Sequence, residues 1–141
     1  MSLENVLSIS GLAMDAQTAR INLSVSNIAN ADTQDSSPEN AFKAKRAVFR
    51  TILDGEVNKA RGELAGSVRV SEIIEDQSPH PSVYLPSHPL ANEDGYVFSS
   101  NVDVMTEMVD IKAASRSFES AVEASNTAKR LMMRTIEMLQ K

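Results

Sequence analysis

Residues that break helices and strands are confined to the middle of this chain. All five prolines lie between positions 31 and 100, and so do four of the five glycines. Uninterrupted helical patterns remain on either side of that segment. The sequence therefore predicts a helix over residues 1–30, a β-rich or extended segment over 31–100, and a second helix over 101–141. We expect a mainly α fold with a small β-rich insert of short strands or a hairpin.

The N-terminal helical pattern carries two apolar stripes rather than one. An ordinary surface helix buries a single face, so a helix with two must be covered from two directions. At 100° per residue, the first stripe contains Leu3, Leu7, Met14, Ile21, Val25 and Ile28, and the second contains Ile9, Leu12, Ala16 and Leu23. The remaining wedge is polar or small and contains Glu4, Ser8, Gly11, Asp15, Thr18 and Asn22.

The C-terminal helical pattern has a broad apolar side and a charged wedge. Asp103 stands just before the periodic run and is a suitable N-cap. The apolar side contains Met108, Ile111, Phe118, Val122, Leu131 and Ile136. The charged wedge contains Lys112, Arg116, Glu119, Glu123 and Glu137, the part of this helix that is least suited to burial.

The middle segment is typical of short strands. Residues 67–74 alternate and are rich in β-branched side chains, and residues 81–85 and 95–98 are further strand candidates. Residues 43–53 fit either a strand or a short helix. Asp54-Gly55 and Asp94-Gly95 are turn signals.

Composition disfavours several classes of function. The net charge of −5 argues against nucleic-acid binding, and the absence of cysteine excludes disulfides and thiolate metal sites. His80 and His88, with Glu93 and Asp94 nearby, could ligate a metal, but their irregular spacing within a proline-rich run favours a plain loop. No nucleophile elbow or phosphate-binding loop is present. We therefore predict no catalytic residue, no metal and no cofactor.

The first residues also lack the features of a secretory signal. No basic n-region or unbroken apolar run is present, and no segment is long enough to span a bilayer. We expect neither cleavage of a signal peptide nor insertion into lipid.

The doubled apolar surface of the two helices predicts self-association. An intramolecular hairpin would cover one stripe on each helix and leave the other exposed, which soluble monomers rarely tolerate. An asymmetric contact repeated between copies builds an open helical assembly. Before assembly, we expect the two ends to be largely unfolded or fluctuating. The alternative to a self-assembling subunit is a soluble helical adaptor or export chaperone of a type III secretion system.

Three stretches resemble the flagellar rod, hook and hook-associated proteins. They are SGLAMDAQTARINLSVSNIANADT at 10–33, the segment from Gly66 to Asp103 with its Y-x-P-x-HP and D-GYV steps, and NVD with the Met/Leu-rich tail at 101–139. The middle stretch narrows the resemblance to the proximal-rod members. The resemblance implies a non-enzymatic structural subunit, exported without a cleaved signal peptide, that polymerises helically in the periplasmic rod of the basal body as a drive shaft around the export channel.

The resemblance also implies roles for particular regions. The two terminal helices would form an antiparallel coiled coil, and the charged wedge would face the channel. Other rod proteins, the membrane-ring and export-gate base components, and the distal rod would be the partners. The junction between the helices and the outer arm would contain Asn27, Asn30, Asn101 and Asp103.

Overall fold

A computed structural model describes residues 3–53 and 66–139 of the chain. The elements within these ranges follow in the order α1 (Leu3–Ala29), β1 (Gln34–Asp35), β2 (Lys45–Leu53), β3 (Gly66–Glu75), β4 (Ser82–Tyr84), β5 (Tyr96–Ser99) and α2 (Val104–Leu139). Two long helices and a small β-rich middle segment are as predicted. The predicted turn at Asp54-Gly55 lies outside the described residues.

The strands follow the residue types of the middle segment. β3, β4 and β5 overlap the three predicted strands, and the ambiguous stretch at 43–53 forms β2. Val48, Phe49 and Thr51 favour the strand there, because branched and aromatic side chains pack well on a pleated surface. β1 was not predicted, since two residues are too short for an alternation to be seen.

Two sheets are formed by the described strands. β5 lies between β1 and β4 in an antiparallel three-stranded sheet, whereas β2 pairs with β3 in a second sheet. Tyr84 lies opposite Tyr96 and Val83 opposite Val97 in the β4–β5 register. Val97, on the central strand, is only 1% exposed.

The loop before β5 depends on a glycine. Gly95 has a φ of +80°, and a Cβ at this position would lie 2.8 Å from Cε2 of Tyr84. The side chain of Asn92 accepts the backbone N–H groups of Asp94 and Tyr96 at 3.1 and 2.8 Å. The predicted turn at Asp94-Gly95 is therefore observed, with its backbone shaped by Asn92.

The chain forms two compact units, each of which contains parts of both helices. The first unit comprises Met1–Ala19, Val48–Glu72 and Ala113–Lys141. Within it, Leu12, Ala16 and Ala19 of α1 line a surface depression with Val68 and Val70 of β3. The fully buried apolar residues of this unit among the described ones are alanines: Ala16, Ala114 and Ala128.

The second unit comprises Arg20–Ala47 and Ile73–Lys112. Its two helical segments run in opposite directions, since Arg20 pairs with Asp110 while Thr33 accepts the N–H of Ser100. The three-stranded sheet belongs to this unit. Its buried side chains include Ala41, Ala44, Asn27 and Glu107, so polar groups occupy much of its interior.

The exposed residues of α1 follow the predicted polar wedge. The exposed residues of this wedge are Glu4, Ser8, Asp15, Thr18 and Asn22. Val25 and Ala29 extend the same exposed face to the end of α1. Within the described residues, neither helix combines the length and apolarity needed to cross a membrane.

Candidate functional site

The side chain of Asn27 binds the backbone of Lys45 with two hydrogen bonds. Its Oδ1 accepts the Lys45 N–H, and its Nδ2 donates to the Lys45 carbonyl, both at 2.9 Å. Asn27 is 1% exposed, so these bonds form away from water. The carboxamide thus takes the place of a neighbouring strand at the first residue of β2.

The backbone groups of Ala44, the residue before Lys45, are also paired, with Asn101 and Asp76. The Ala44 N–H donates to Oδ1 of Asn101 at 2.7 Å, and its carbonyl accepts the N–H of Asp76 at 2.8 Å. Asn101 also donates to the carbonyls of Asp76 and Ser78. All four backbone polar groups of the Ala44-Lys45 dipeptide, here called the root dipeptide, are therefore paired.

Arg46 follows the root dipeptide and lies among three carboxylates. Its Nε is 3.3 Å from Asp76 Oδ2, and its Nη1 is 3.8 Å from both Glu107 Oε1 and Asp110 Oδ2. Asp110 also accepts a 2.7 Å bond from Nη2 of Arg20. These five residues, here called the ion cluster, link α1, β2, the end of β3 and α2.

Glu107 is the most buried member of the ion cluster. It is 2% exposed, and Arg46 is its cationic partner in the described ion pairs. A carboxylate removed from water is costly unless a cation and hydrogen bonds compensate for the lost hydration. Arg46 therefore offsets part of the cost of burying the Glu107 carboxylate.

Asp76 joins the ion cluster to the root dipeptide. Hydrogen bonds from the hydroxyl and then the backbone N–H of Ser78 hold the pKa of its carboxyl below the usual value, and Arg46 lowers it further. The ionised form is the one that these donors stabilise.

The predicted N-cap of α2 is observed. Asp103 accepts the N–H of Met105 at 3.1 Å and the hydroxyl of Thr106 at 2.5 Å. These two bonds, led by the hydroxyl, lower the pKa of the Asp103 carboxyl. A carboxylate at this position also interacts favourably with the helix dipole.

The two asparagines at the end of α1 have different roles. Asn30 donates from its side chain to the Ser26 carbonyl at 2.8 Å, and so satisfies a carbonyl in the last turn. Asn27 differs, because its side chain reaches β2 and not the helix end. Asn27 and Asn101, which were predicted only as junction residues, meet at the root dipeptide.

The predicted assembly residues are covered only in part within the chain. Half-buried members are Leu3, Leu7, Ile9, Leu12, Met14, Ile21, Leu23, Ile28, Ile111, Phe118 and Val122. Exposed members are Val25, Met108, Leu131 and Ile136. The five residues of the charged wedge, Lys112, Arg116, Glu119, Glu123 and Glu137, are all exposed.

The histidines are engaged in loop structure. His80 Nδ1 is 3.0 Å from the Ser99 carbonyl, and His88 Nδ1 accepts the N–H of Leu90. Among residues 3–53 and 66–139, no group of three potential ligands is placed to hold a metal.

Sequence reasoning missed the ion cluster. Its members are far apart in the chain, so only the folded topology brings them together. One signal was available: Arg20 is the only Lys or Arg in the first 42 residues, and the acidic residues of the same helix, Glu4 and Asp15, lie in a separate wedge.

Comparison with known proteins places the chain among flagellar components. Residues 93–138 match the family described as "Flagellar basal body rod FlgEFG protein C-terminal". The chain is 42% identical to the flagellar basal-body rod protein FlgC of Escherichia coli O157:H7 over 99% of its length and 100% of that protein's. The FlgC proteins of Salmonella typhimurium and Bacillus subtilis are 41% and 35% identical, with coverage of 99% and 94% of this chain and 100% and 95% of theirs.

Identity at this level over the full length defines the class, which is that of the flagellar basal-body rod proteins. Within that class, the chain belongs to the FlgC family. The resemblance found in the sequence, including that of residues 66–103 to the proximal-rod member known as rod protein C, is confirmed by these relatives.

Proposed function

We propose that this chain is a structural subunit of the proximal rod of the bacterial flagellar basal body. Copies would polymerise helically as a drive shaft around the export channel. The observation that carries this proposal is the likeness, over essentially the whole chain, to proteins named as basal-body rod proteins. The family is structural, so no chemistry is assigned to the ion cluster.

The burial pattern supports a functional state in which the chain is assembled with other subunits. The fully buried apolar side chains of the described residues are five alanines and one valine, whereas eighteen large apolar side chains are exposed. Exposed apolar surface on this scale marks contact with other proteins. The predicted assembly residues on α1 and α2 would complete their burial against neighbouring copies, with the two helices paired as an antiparallel coiled coil.

The charged wedge of α2 is proposed as the channel face. All five of its residues are exposed, and charged groups are the ones that a water-filled channel accommodates without a desolvation cost. A density map of an assembled rod tests this role. Placement of Arg116 or Glu123 within a subunit contact would refute it.

The junction would separate the inner part of the subunit from its outer part. Residues 1–30 and 101–141 would form the inner tube, and residues 31–100 would form the outer part. The root dipeptide and ion cluster fix the start of β2 to both helical segments of the second unit. Torque carried by the inner helices would reach the outer part through these bonds.

The setting and the partners follow from the same proposal. Subunits would leave the cytoplasm through the flagellar type III export apparatus and assemble in the periplasm. They would contact other rod proteins, the membrane-ring and export-gate base components, and the distal rod. The comparisons do not favour the alternative of an adaptor or export chaperone.

Deletion of the gene for this chain, followed by electron microscopy of purified basal bodies, tests the proposal. We expect basal bodies that lack a rod, and restoration by the wild-type chain. Asn27→Leu combined with Asn30→Leu should leave secretion intact but block rod assembly. Normal rods in the deletion strain would overturn the assignment.

A further inference from the structure

Two tyrosines form an exposed aromatic pair on the three-stranded sheet. Tyr84 and Tyr96 lie opposite each other on β4 and β5, with ring centroids 5.3 Å apart in an edge-to-face arrangement. They are 61% and 42% exposed. Gly95 leaves room for the Tyr84 ring, because a Cβ there would collide with it. Tyrosine is among the residues most enriched at the energetic centres of interfaces.

The loop that joins β4 and β5 is ordered by its own hydrogen bonds. Leu85 donates its N–H to Gly95, Ala91 donates to His88, and Asn92 donates to Tyr96, all at 2.9 to 3.0 Å. Leu85 and Leu90 in this loop are nevertheless more than 40% exposed. An apolar surface that is rigid before binding loses little entropy when a partner covers it. We call Tyr84, Tyr96 and the exposed loop residues Leu90, Glu93 and Asp94 the tyrosine surface.

Charge restricts the partner of this surface. Glu93 and Asp94 are exposed and come just before Tyr96 in the chain. From residue 70 to residue 111 the sequence has eight acidic residues and no Lys or Arg. A partner that complements the tyrosine surface therefore combines apolar with basic side chains.

The end of α2 has this combination. Residues 129–139, here called the tail, include Lys129, Arg130 and Arg134, all exposed. The exposed apolar residues of the tail are Leu131, Met133, Ile136, Met138 and Leu139, at 47% to 81%. Their spacing distributes them over more than half of the helix circumference, so one neighbouring helix cannot cover them all.

We infer that the tyrosine surface of one copy binds the tail of a second copy. Apolar tail residues cover the two tyrosine rings, and tail cations pair with Glu93 and Asp94 or stack on the rings. The two contacting regions differ, so the contact repeats head to tail and does not close into a dimer. The inference rests on the proposed function, for which it specifies one subunit contact.

Charge exchange between the two regions tests the contact. Sedimentation of the purified full-length chain at low salt should show concentration-dependent association. Glu93→Lys with Asp94→Lys should weaken it about tenfold, and so should Arg130→Glu with Arg134→Glu, since two exposed ion pairs are reversed in each case. A mixture of the two variants should associate as the wild-type chain does. Asp32→Lys with Glu39→Lys, at exposed positions of the second unit outside the tyrosine surface, should change little.

Cross-linking provides a readout that does not depend on the charge variants. Because the chain has no cysteine, Asp94→Cys and Met133→Cys copies can be mixed and oxidised. Random pairing alone gives twice as much heterodimer as either homodimer, and we expect disulfide-linked heterodimers well above that ratio. A heterodimer yield no higher than twice that of either homodimer would overturn the contact.

The outcomes separate this contact from the proposed function. If the charge variants associate as strongly as the wild-type chain and the chain still enters rods, the proposed contact is wrong and the rod assignment stands. Glu93 and Asp94 variants that associate normally when purified but fail to enter rods would show that another protein occupies the surface. Absence of the wild-type chain from purified basal bodies would overturn both.

Discussion

The carboxamide of Asn27 forms both of its hydrogen bonds with the backbone of Lys45, eighteen residues further along the chain. Asn101 binds the preceding residue, Ala44. One asparagine precedes the middle segment and the other follows it, so both ends of that segment are tied to the same dipeptide.

Asn27→Asp should lower the free energy of unfolding by about 3 kcal/mol, because the Lys45 carbonyl would lose its donor and face a buried negative oxygen. Urea unfolding followed by circular dichroism measures the change. Asn22→Asp, at an exposed position on the same helix, is the matched control and should shift stability by less than about 0.5 kcal/mol. Equal effects from the two substitutions would contradict the role of the buried carboxamide.

Arg46→Met should destabilise the chain by about 2 kcal/mol, since Glu107 would keep its buried charge without its cation. Arg50→Met removes an exposed arginine from the same strand and should have little effect. Adding Glu107→Gln to Arg46→Met should recover part of the loss, which a double-mutant cycle detects. Additive losses would show that the two side chains do not interact.

Substitution of two glycines by alanine should have opposite effects. Gly95→Ala should cost about 1 kcal/mol or more, because of the positive φ and the collision with Tyr84. Gly11→Ala, in α1 with nothing within 4 Å of the added Cβ, should stabilise by about 0.5 to 1 kcal/mol. Thermal unfolding of both variants measures the difference in sign. Stabilisation by Gly95→Ala would contradict the described turn.

The pKa of Asp76 links stability to pH. Its value in the folded chain lies below the ordinary 3.8, so the ionised carboxylate stabilises the fold above that pH, and this contribution disappears as pH falls through the folded pKa. Ser78→Ala removes the largest cause and should raise the pKa of Asp76. The same substitution should flatten the acid limb of the stability curve. Carboxyl-carbon NMR titration of both chains measures the shift, and an unchanged pKa would contradict the assigned cause.

Hydrogen exchange in the dilute chain should separate the junction from the tail. The N–H groups of Ala44 and Lys45 are paired in a buried setting and should be protected. Beyond Ala128, the last fully buried residue described on α2, every side chain through Leu139 except Met132 is exposed, so the helix should exchange rapidly. A tail that is as protected as the junction would show that the ends are folded before assembly.

The sequence predicted what periodicity and local chemistry determine. Both helices, the Asp103 cap and the strands around Val70, Val83 and Val97 follow from patterns within a few residues. The sequence of β2 does not decide between strand and helix, because it fits both until it pairs with β3.

The junction could be located but not described from the sequence. Asn27 and Asn101 were recognised as junction residues, yet their shared target requires three segments to meet. Arg20 and Asp110 are ninety residues apart, and no local pattern connects them. Contacts of this kind depend on topology, which single-sequence patterns do not specify.

The contacts that Ala44 and Arg46 make with Asp76 have a practical consequence. The Ala44–Asp76 hydrogen bond and the Arg46–Asp76 ion pair fasten both ends of the intervening stretch. We expect polypeptide added between residues 47 and 75 to leave these two contacts in place. We therefore expect the second unit to tolerate insertions of different size in that stretch.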